Sequence, residues 1–82
     1  MKAVVVRIDE PVSINDKFRK REIIVKTTEA YPQHIILQVV NDKCEILNNF
    51  QVDQEVDIEY NLRGRMLPDG RCFNTLEIWK IN

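Results

Sequence analysis

The sequence is poor in residues that interrupt regular structure or cross-link it. Its 82 residues include only 2 Gly, 3 Pro, 2 Cys and 1 His. So few glycines and prolines exclude collagen-like and linker-like chains, and two cysteines are too few for a disulfide scaffold. His34, Cys44 and Cys72 lack the spacing of a zinc site, so we expect free thiols and neither a metal nor another cofactor.

Long hydrophobic runs are missing as well. The longest, at residues 35–40, is far below the roughly 20 residues that cross a bilayer, so we expect no membrane segment. Residues 1–10 lack the sustained apolar stretch and the small-residue cleavage pattern of a signal peptide. These absences predict a cytoplasmic protein.

The composition that remains is that of one globular domain. Hydrophobic residues make up 44% of the chain and charged residues 30%, and neither a repeat nor a change in composition divides it. A chain of this length holds one small core. We therefore predict a single domain over residues 1–82.

Short alternating or β-branched stretches predict five strands. They are residues 3–8, 22–28, 34–40, 55–65 and 72–82. Turns are predicted at residues 30–33 and 67–70, where Pro and Gly occur. The clearest alternation, in the fourth stretch, predicts that the following side chains face the core: Val56, Ile58, Tyr60 and Leu62.

The period changes at residues 41–50, where a short helix is predicted. Asp42 and Glu45 have the spacing of a capping box, and Ile46, Leu47 and Phe50 lie on one side. Five strands with a helix between the third and the fourth predict an OB-fold, a five-stranded Greek-key barrel.

Basic residues are concentrated in two segments, although the formal net charge is -1. In an OB-fold, the loops after the first and fourth strands flank the binding face. Residues 15–20 and 64–72 are predicted to form these loops, which places their cations where a polyanion binds. The two segments and the residues beside them hold seven of the 12 basic residues: Lys17, Arg19, Lys20, Arg21, Arg63, Arg65 and Arg71.

Aromatic residues lie beside these cations. Single-stranded nucleic acids bind to basic grooves with aromatic stacking platforms, and Phe18 and Phe73 are the best candidates, with Lys26 between the clusters. Phe73 and Trp79 are each as well suited to closing the barrel as to stacking a base. Whether Tyr31 and Trp79 stack bases or pack against the barrel stays open. The acidic residues within residues 53–59 would repel a phosphate backbone from their own side of the domain, which leaves the basic side as the preferred face.

No catalytic arrangement is visible. His34 has no Ser or Cys placed with it as a nucleophile, and Asp57 and Glu59 alternate on one strand without a pocket. We therefore do not expect an enzyme.

Several short motifs resemble a known family. The stretches "REIIVKTTEAYPQHIILQVVNDKCEIL", "VDQEVDIEYNLRGR" and "FNTLEIWKI" are similar to short bacterial and phage OB-fold domains related to single-stranded DNA-binding proteins. The shared features are a basic loop with Phe18, the Tyr31-Pro32 turn, the Asp42-Lys43 pair and the closing Trp79-Lys80-Ile81. Where the family has Gly-Asp, this chain has Asp53-Gln54, and Asp tolerates the left-handed backbone expected there.

The resemblance and the charge pattern together predict the function. We expect a sequence-independent single-stranded DNA-binding domain that acts in replication, recombination or repair, and that forms a homodimer or a higher homo-oligomer. Two alternatives stay open, namely an assembly module that binds an acidic protein partner and a binder of single-stranded RNA.

Overall fold

The computed structural model describes the whole chain, residues 1–82, as six strands and one 3-10 helix. In chain order the elements are β1 (Lys2–Ile8), β2 (Val12–Asn15), β3 (Phe18–Thr27), β4 (His34–Val40), the helix η1 (Asn41–Asn49), β5 (Glu55–Met66) and β6 (Cys72–Ile81). The protein is therefore mostly β with one short helix, as predicted.

Five of the strands form a closed sheet. β1 pairs with β5 on one side and with β3 on the other, and the remaining pairs are β3–β4, β4–β6 and β6–β5. All are antiparallel except β4 and β6, which run parallel and are in register at Gln38 and Glu77. The sixth strand, β2, pairs only with β3 and lies outside this ring.

The core is filled from alternate positions of the ring strands. Ile23 and Val25 of β3 and Leu37 and Val39 of β4 are fully buried, because every second side chain of each strand points to the inside of the ring. Burying each such side chain contributes about 1.5–3 kcal/mol. The core consists of Ala3, Val5, Ile23, Val25, Leu37, Val39, Cys44, Leu47, Val56, Ile58 and Ile78.

Aromatic side chains are absent from this buried core. Phe50 packs against it from the end of η1 and is only partly buried. Tyr31 and Trp79, whose roles the sequence left open, are 83% and 50% exposed, so neither fills the interior. Four of the six aromatic side chains are therefore exposed, namely Tyr31, Tyr60, Phe73 and Trp79.

The helix η1 covers one end of the ring. Cys44 and Leu47 are its buried residues, and Cys44 packs as a small hydrophobe, as expected. The predicted capping box is wrong, because Asn41 already belongs to the helix and the preceding Val40 makes no side-chain cap. The Asn41 side chain instead accepts a hydrogen bond from the backbone N–H of Arg19, at 3.1 Å.

The predicted first loop, residues 15–20, is largely strand. β2 and β3 form a hairpin, and the Asn15 side chain accepts a hydrogen bond from the backbone N–H of Lys17 at 2.9 Å, which supports its turn. β3 therefore begins at Phe18 rather than at residue 22. The sequence concealed this because charged residues occupy both faces at the start of the strand.

β5 and β6 extend beyond the ring as a two-stranded hairpin. We call residues 60–66 of β5, residues 72–76 of β6 and the turn between them the arm. Tyr60 and Leu62, predicted to face the core, are exposed, because β5 pairs with β1 only up to Asp57 and beyond that point has β6 alone as its neighbour. The radius of gyration, 13.4 Å, exceeds the roughly 12 Å expected for a compact chain of this length, as a projecting arm requires.

Candidate nucleic-acid interface

Cross-strand pairing gives the arm two chemically different faces. Arg63 pairs with Thr75 and Arg65 pairs with Phe73, and we call the face that they share the arginine face. Directly paired residues point to the same side of an antiparallel sheet, so the neighbouring residues lie on the opposite side. We call this opposite side the apolar face, and it consists of Tyr60, Leu62, Gly64, Met66, Cys72, Asn74 and Leu76.

A shallow hollow of about 380 Å³ lies on the arginine face. Phe73 is 51% exposed in it, and the guanidinium carbon of Arg71 lies 5.7 Å from the centre of the Phe73 ring. This distance is within the range of a cation–π contact. The hollow is lined by Arg63, Gly64, Arg65, Leu67, Phe73 and Thr75.

Two of the three arginines beside this hollow are held by carboxylates. The Arg63 Nε lies 3.6 Å from a Glu77 oxygen, and the Arg71 Nε lies 2.7 Å from an Asp69 oxygen. The Arg71–Asp69 pair is exposed and the Arg63–Glu77 pair is only partly buried, so their net contribution to stability is small. Arg65 takes part in no ion pair and carries the uncompensated charge of the arginine face.

The turn of the arm positions Arg71. The backbone N–H of Leu67 donates to the Arg71 carbonyl at 2.7 Å, and the Asp69 side chain accepts from the Arg71 backbone N–H at 3.0 Å. Gly70 has φ +93°, a left-handed conformation that glycine adopts without strain. The predicted turn at residues 67–70 is thereby confirmed, and it places the Arg71 side chain over Phe73.

The first basic cluster lies on β3 and on the turn before it. Lys17 is exposed in the turn, and Phe18, Lys20 and Lys26 lie on the side of β3 that faces away from the core. Arg19 lies beside η1, where its Nη2 donates to the Asn41 carbonyl at 3.3 Å and lies 3.8 Å from a Glu45 oxygen. The cations of this cluster therefore point in different directions.

Arg21, predicted as a nucleic-acid contact, is buried in the fold. Its Nε donates to the Asp9 carbonyl at 2.7 Å, and its Nη1 donates to the Cys44 carbonyl at 3.1 Å and to the Asn48 side chain at 2.7 Å. It takes the inward position on β3 that precedes Ile23. The guanidinium ties β3 to η1 and is not available to a ligand, which corrects the prediction for this residue.

A groove of about 370 Å³ separates the two basic clusters. One wall is the apolar face of the arm, with Leu62, Asn74 and Leu76, and the other is the outward side of β3 and β4. Lys20 lines this groove, whereas Arg63, Arg65 and Phe73 line the hollow on the other face of the arm. The structure therefore brings the arm residues together but assigns the two predicted clusters to different surfaces.

Acidic residues lie on another part of the ring. Glu55, Asp57 and Glu59 are exposed on the first half of β5, next to β1. The two carboxylates that hold arm arginines, Asp69 and Glu77, were not predicted from the sequence. The proximity of Asp69 to Arg71 in sequence was a usable signal, whereas the pairing with Glu77 depends on the register of β5 and β6.

The fold and this site define a class of protein: a small, mostly β domain with a closed five-stranded sheet and a projecting basic arm. Its helix lacks the length and the apolar content needed to cross a membrane. No three His, Cys, Asp or Glu side chains are grouped so that they could hold a metal ion.

Sequence comparison then gives the family. Residues 1–82 match a family described as a domain of unknown function, DUF3127, and the chain belongs to this family. No curated protein sequence matches the chain.

Proposed function

We propose that this domain has an OB-fold and binds single-stranded nucleic acid, DNA in preference to RNA, without sequence preference and without catalysis. Its role would lie in replication, recombination or repair. The observation that carries the proposal is the arginine face of the arm, where the exposed Phe73 ring lies 5.7 Å from the Arg71 guanidinium carbon and shares a hollow with Arg63 and Arg65.

The order of the strands supports an OB-fold. Around the ring the order is β1-β3-β4-β6-β5, with the helix between β4 and β5. Without the short β2, these are five strands in a Greek-key order with a helix after the third. In this fold the connection between the fourth and fifth strands flanks the binding face, and here that connection is the arm.

The exposed ring of Phe73 favours a single strand rather than a duplex as the ligand. A stacked base needs one exposed aromatic face, which Phe73 offers, and stacking contributes about 1–3 kcal/mol per base. Bases in a duplex are already stacked on each other and are not accessible to this ring. Arg65, Arg63 and Arg71 lie beside Phe73 and would neutralise the phosphates on either side of the stacked base.

The remaining predicted cations lie on a different surface, and we assign them a second part of the contact along β3. Lys20 and Lys26 lie six residues apart on its outward side, or about 20 Å at 3.3 Å per residue. With Lys17, Phe18 and Arg19 at the start of the hairpin, they form the more distant part of the contact. About four neutralised phosphates give an expected slope of roughly -3 for log affinity against log salt.

Fluorescence anisotropy with labelled oligonucleotides tests the proposal. We expect the wild-type domain to bind oligo-dT more tightly than oligo-rU and to bind duplex DNA weakly. Arg65→Glu and Phe73→Ala should each weaken binding about 10-fold or more, because they remove a phosphate contact and a stacking face. Lys80→Glu, an exposed charge reversal on the ring part of β6, serves as the matched control and should change affinity little.

Other outcomes separate the alternatives. Tighter binding to oligo-rU than to oligo-dT would replace DNA by RNA as the ligand. Absence of binding to any oligonucleotide at low salt would refute the proposal and favour an acidic protein partner for the arginine face.

A further inference from the structure

Most of the apolar face of the arm is uncovered within the chain, and only Leu76 at its base packs against the core. Leu62 is 68% exposed and Met66 is 73% exposed, and both continue the alternation that buries Val56 and Ile58 lower on the same strand. An isolated two-stranded hairpin is marginally stable in water. The arm therefore presents large aliphatic side chains on an element that gains from being covered.

We propose that a second copy of this chain covers this face, and that each arm fills the groove of the other copy in a two-fold symmetric dimer. The groove lies between the apolar face of the arm and the outward side of β3 and β4. Its volume of about 370 Å³ accommodates aliphatic side chains such as Leu62 and Met66 from a partner arm. The interface would be isologous, because each copy contributes the same arm and the same groove.

Charge favours a second copy as the occupant. All seven residues of the apolar face are uncharged, and the charged residues that line the groove, Lys20 and Glu22, have opposite signs. Two copies can approach through these surfaces without bringing like charges together. The other large surfaces carry charge mainly of one sign, with arginines on one face of the arm and acids on β5, so they would repel their own copies.

Area is consistent with a reversible dimer. Tyr60, Leu62, Met66 and Cys72, together with Ile36 on the opposite wall, are all exposed. They leave on the order of 500 Å² of side-chain surface accessible per copy, against about 800 Å² per partner in a standard interface. A patch of this size matches the largest apolar patches of soluble monomers, which are often functional. An interface somewhat below standard size is typical of weak, reversible association.

Nucleic acid suits this groove poorly. Its lining contains no aromatic side chain and has no net positive charge, so it offers neither a stacking platform nor a field for phosphate. Apart from Lys20, which lines the groove, the proposed dimer interface uses none of the proposed nucleic-acid contacts.

Sedimentation velocity from about 1 to about 300 μM protein tests the dimer. We expect monomer at the low end and dimer at the high end. Leu62→Glu buries a carboxylate in the interface and should weaken association at least about 30-fold. Arg63→Glu introduces a carboxylate at the next residue, on the other face of the arm, and should leave the dimer intact.

Three results would overturn the proposal: a wild-type domain that is monomeric throughout the range, a Leu62→Glu variant that dimerises like wild type, or an Arg63→Glu variant that loses dimerisation equally. If Leu62→Glu does not fold by circular dichroism, Met66→Glu near the tip of the arm replaces it, with the same expected and contradicting results. Oligonucleotide binding is scored separately with Arg65→Glu, so the failure of either proposal leaves the other standing.

Discussion

Replacing Arg21 with methionine should destabilise the fold although it removes a charge from a basic cluster. The guanidinium is buried and makes three hydrogen bonds, to the Asp9 carbonyl, the Cys44 carbonyl and the Asn48 side chain, with no carboxylate to balance its charge. Methionine preserves most of the side-chain volume but donates no hydrogen bond. The acceptors on η1 and after β1 would then lose their partner.

The magnitude follows from two opposing effects. A hydrogen bond to a charged group contributes about 1.5–3 kcal/mol, and three of them are lost. Against this, the variant no longer has to remove a cation from water, which returns several kcal/mol. We expect a net loss of about 3 kcal/mol in the free energy of unfolding, or about 15 °C in Tm for a domain of this size.

Urea titration followed by far-ultraviolet circular dichroism measures this loss. The matched control is Lys26→Met, the same chemical change on an exposed residue of the same strand, which should remain within about 0.5 kcal/mol of wild type. An Arg21→Met variant as stable as the control would refute the structural role of this guanidinium. It would also restore Arg21 as a candidate ligand contact.

Two further perturbations test other parts of the fold. Asp53 has φ 72°, so Asp53→Gly should be more stable than Asp53→Ala by about 1 kcal/mol in the same urea titration; equal stabilities would contradict a left-handed backbone at this position. Cys44 is fully buried and Cys72 is exposed, so a thiol reagent should modify one cysteine at once and the other only on unfolding, and Cys72→Ser should abolish the fast phase. Prompt modification of both thiols in the native protein would contradict the burial of Cys44.

Local patterns in the sequence predicted most of the strands. Residues 34–40 alternate between apolar and less apolar positions, and β4 has these bounds in the structure. The left-handed backbone expected at Asp53 is confirmed. These features depend on side-chain period and on local backbone preference, both of which are written in neighbouring residues.

The features that were not predicted from the sequence depend on contacts between residues far apart in the chain. Arg21 looks like its exposed neighbours in sequence, and its burial depends on acceptors from two other segments that meet only in the folded chain. The alternation of β5 correctly assigned Tyr60 and Leu62 to one face. The alternation does not show where along β5 the pairing with β1 ends. The position of that end decides whether the face with Tyr60 and Leu62 is covered.

The aliphatic composition of the interior determines what optical probes can report. The single indole, Trp79, is half in water and lies on β6, the strand that leads out of the arm. Its emission will respond weakly to the collapse of the hydrophobic core, which contains only aliphatic side chains and one thiol. The same indole is well placed to register contacts at the surface of β6, so its emission in this protein is a probe of that surface more than of unfolding.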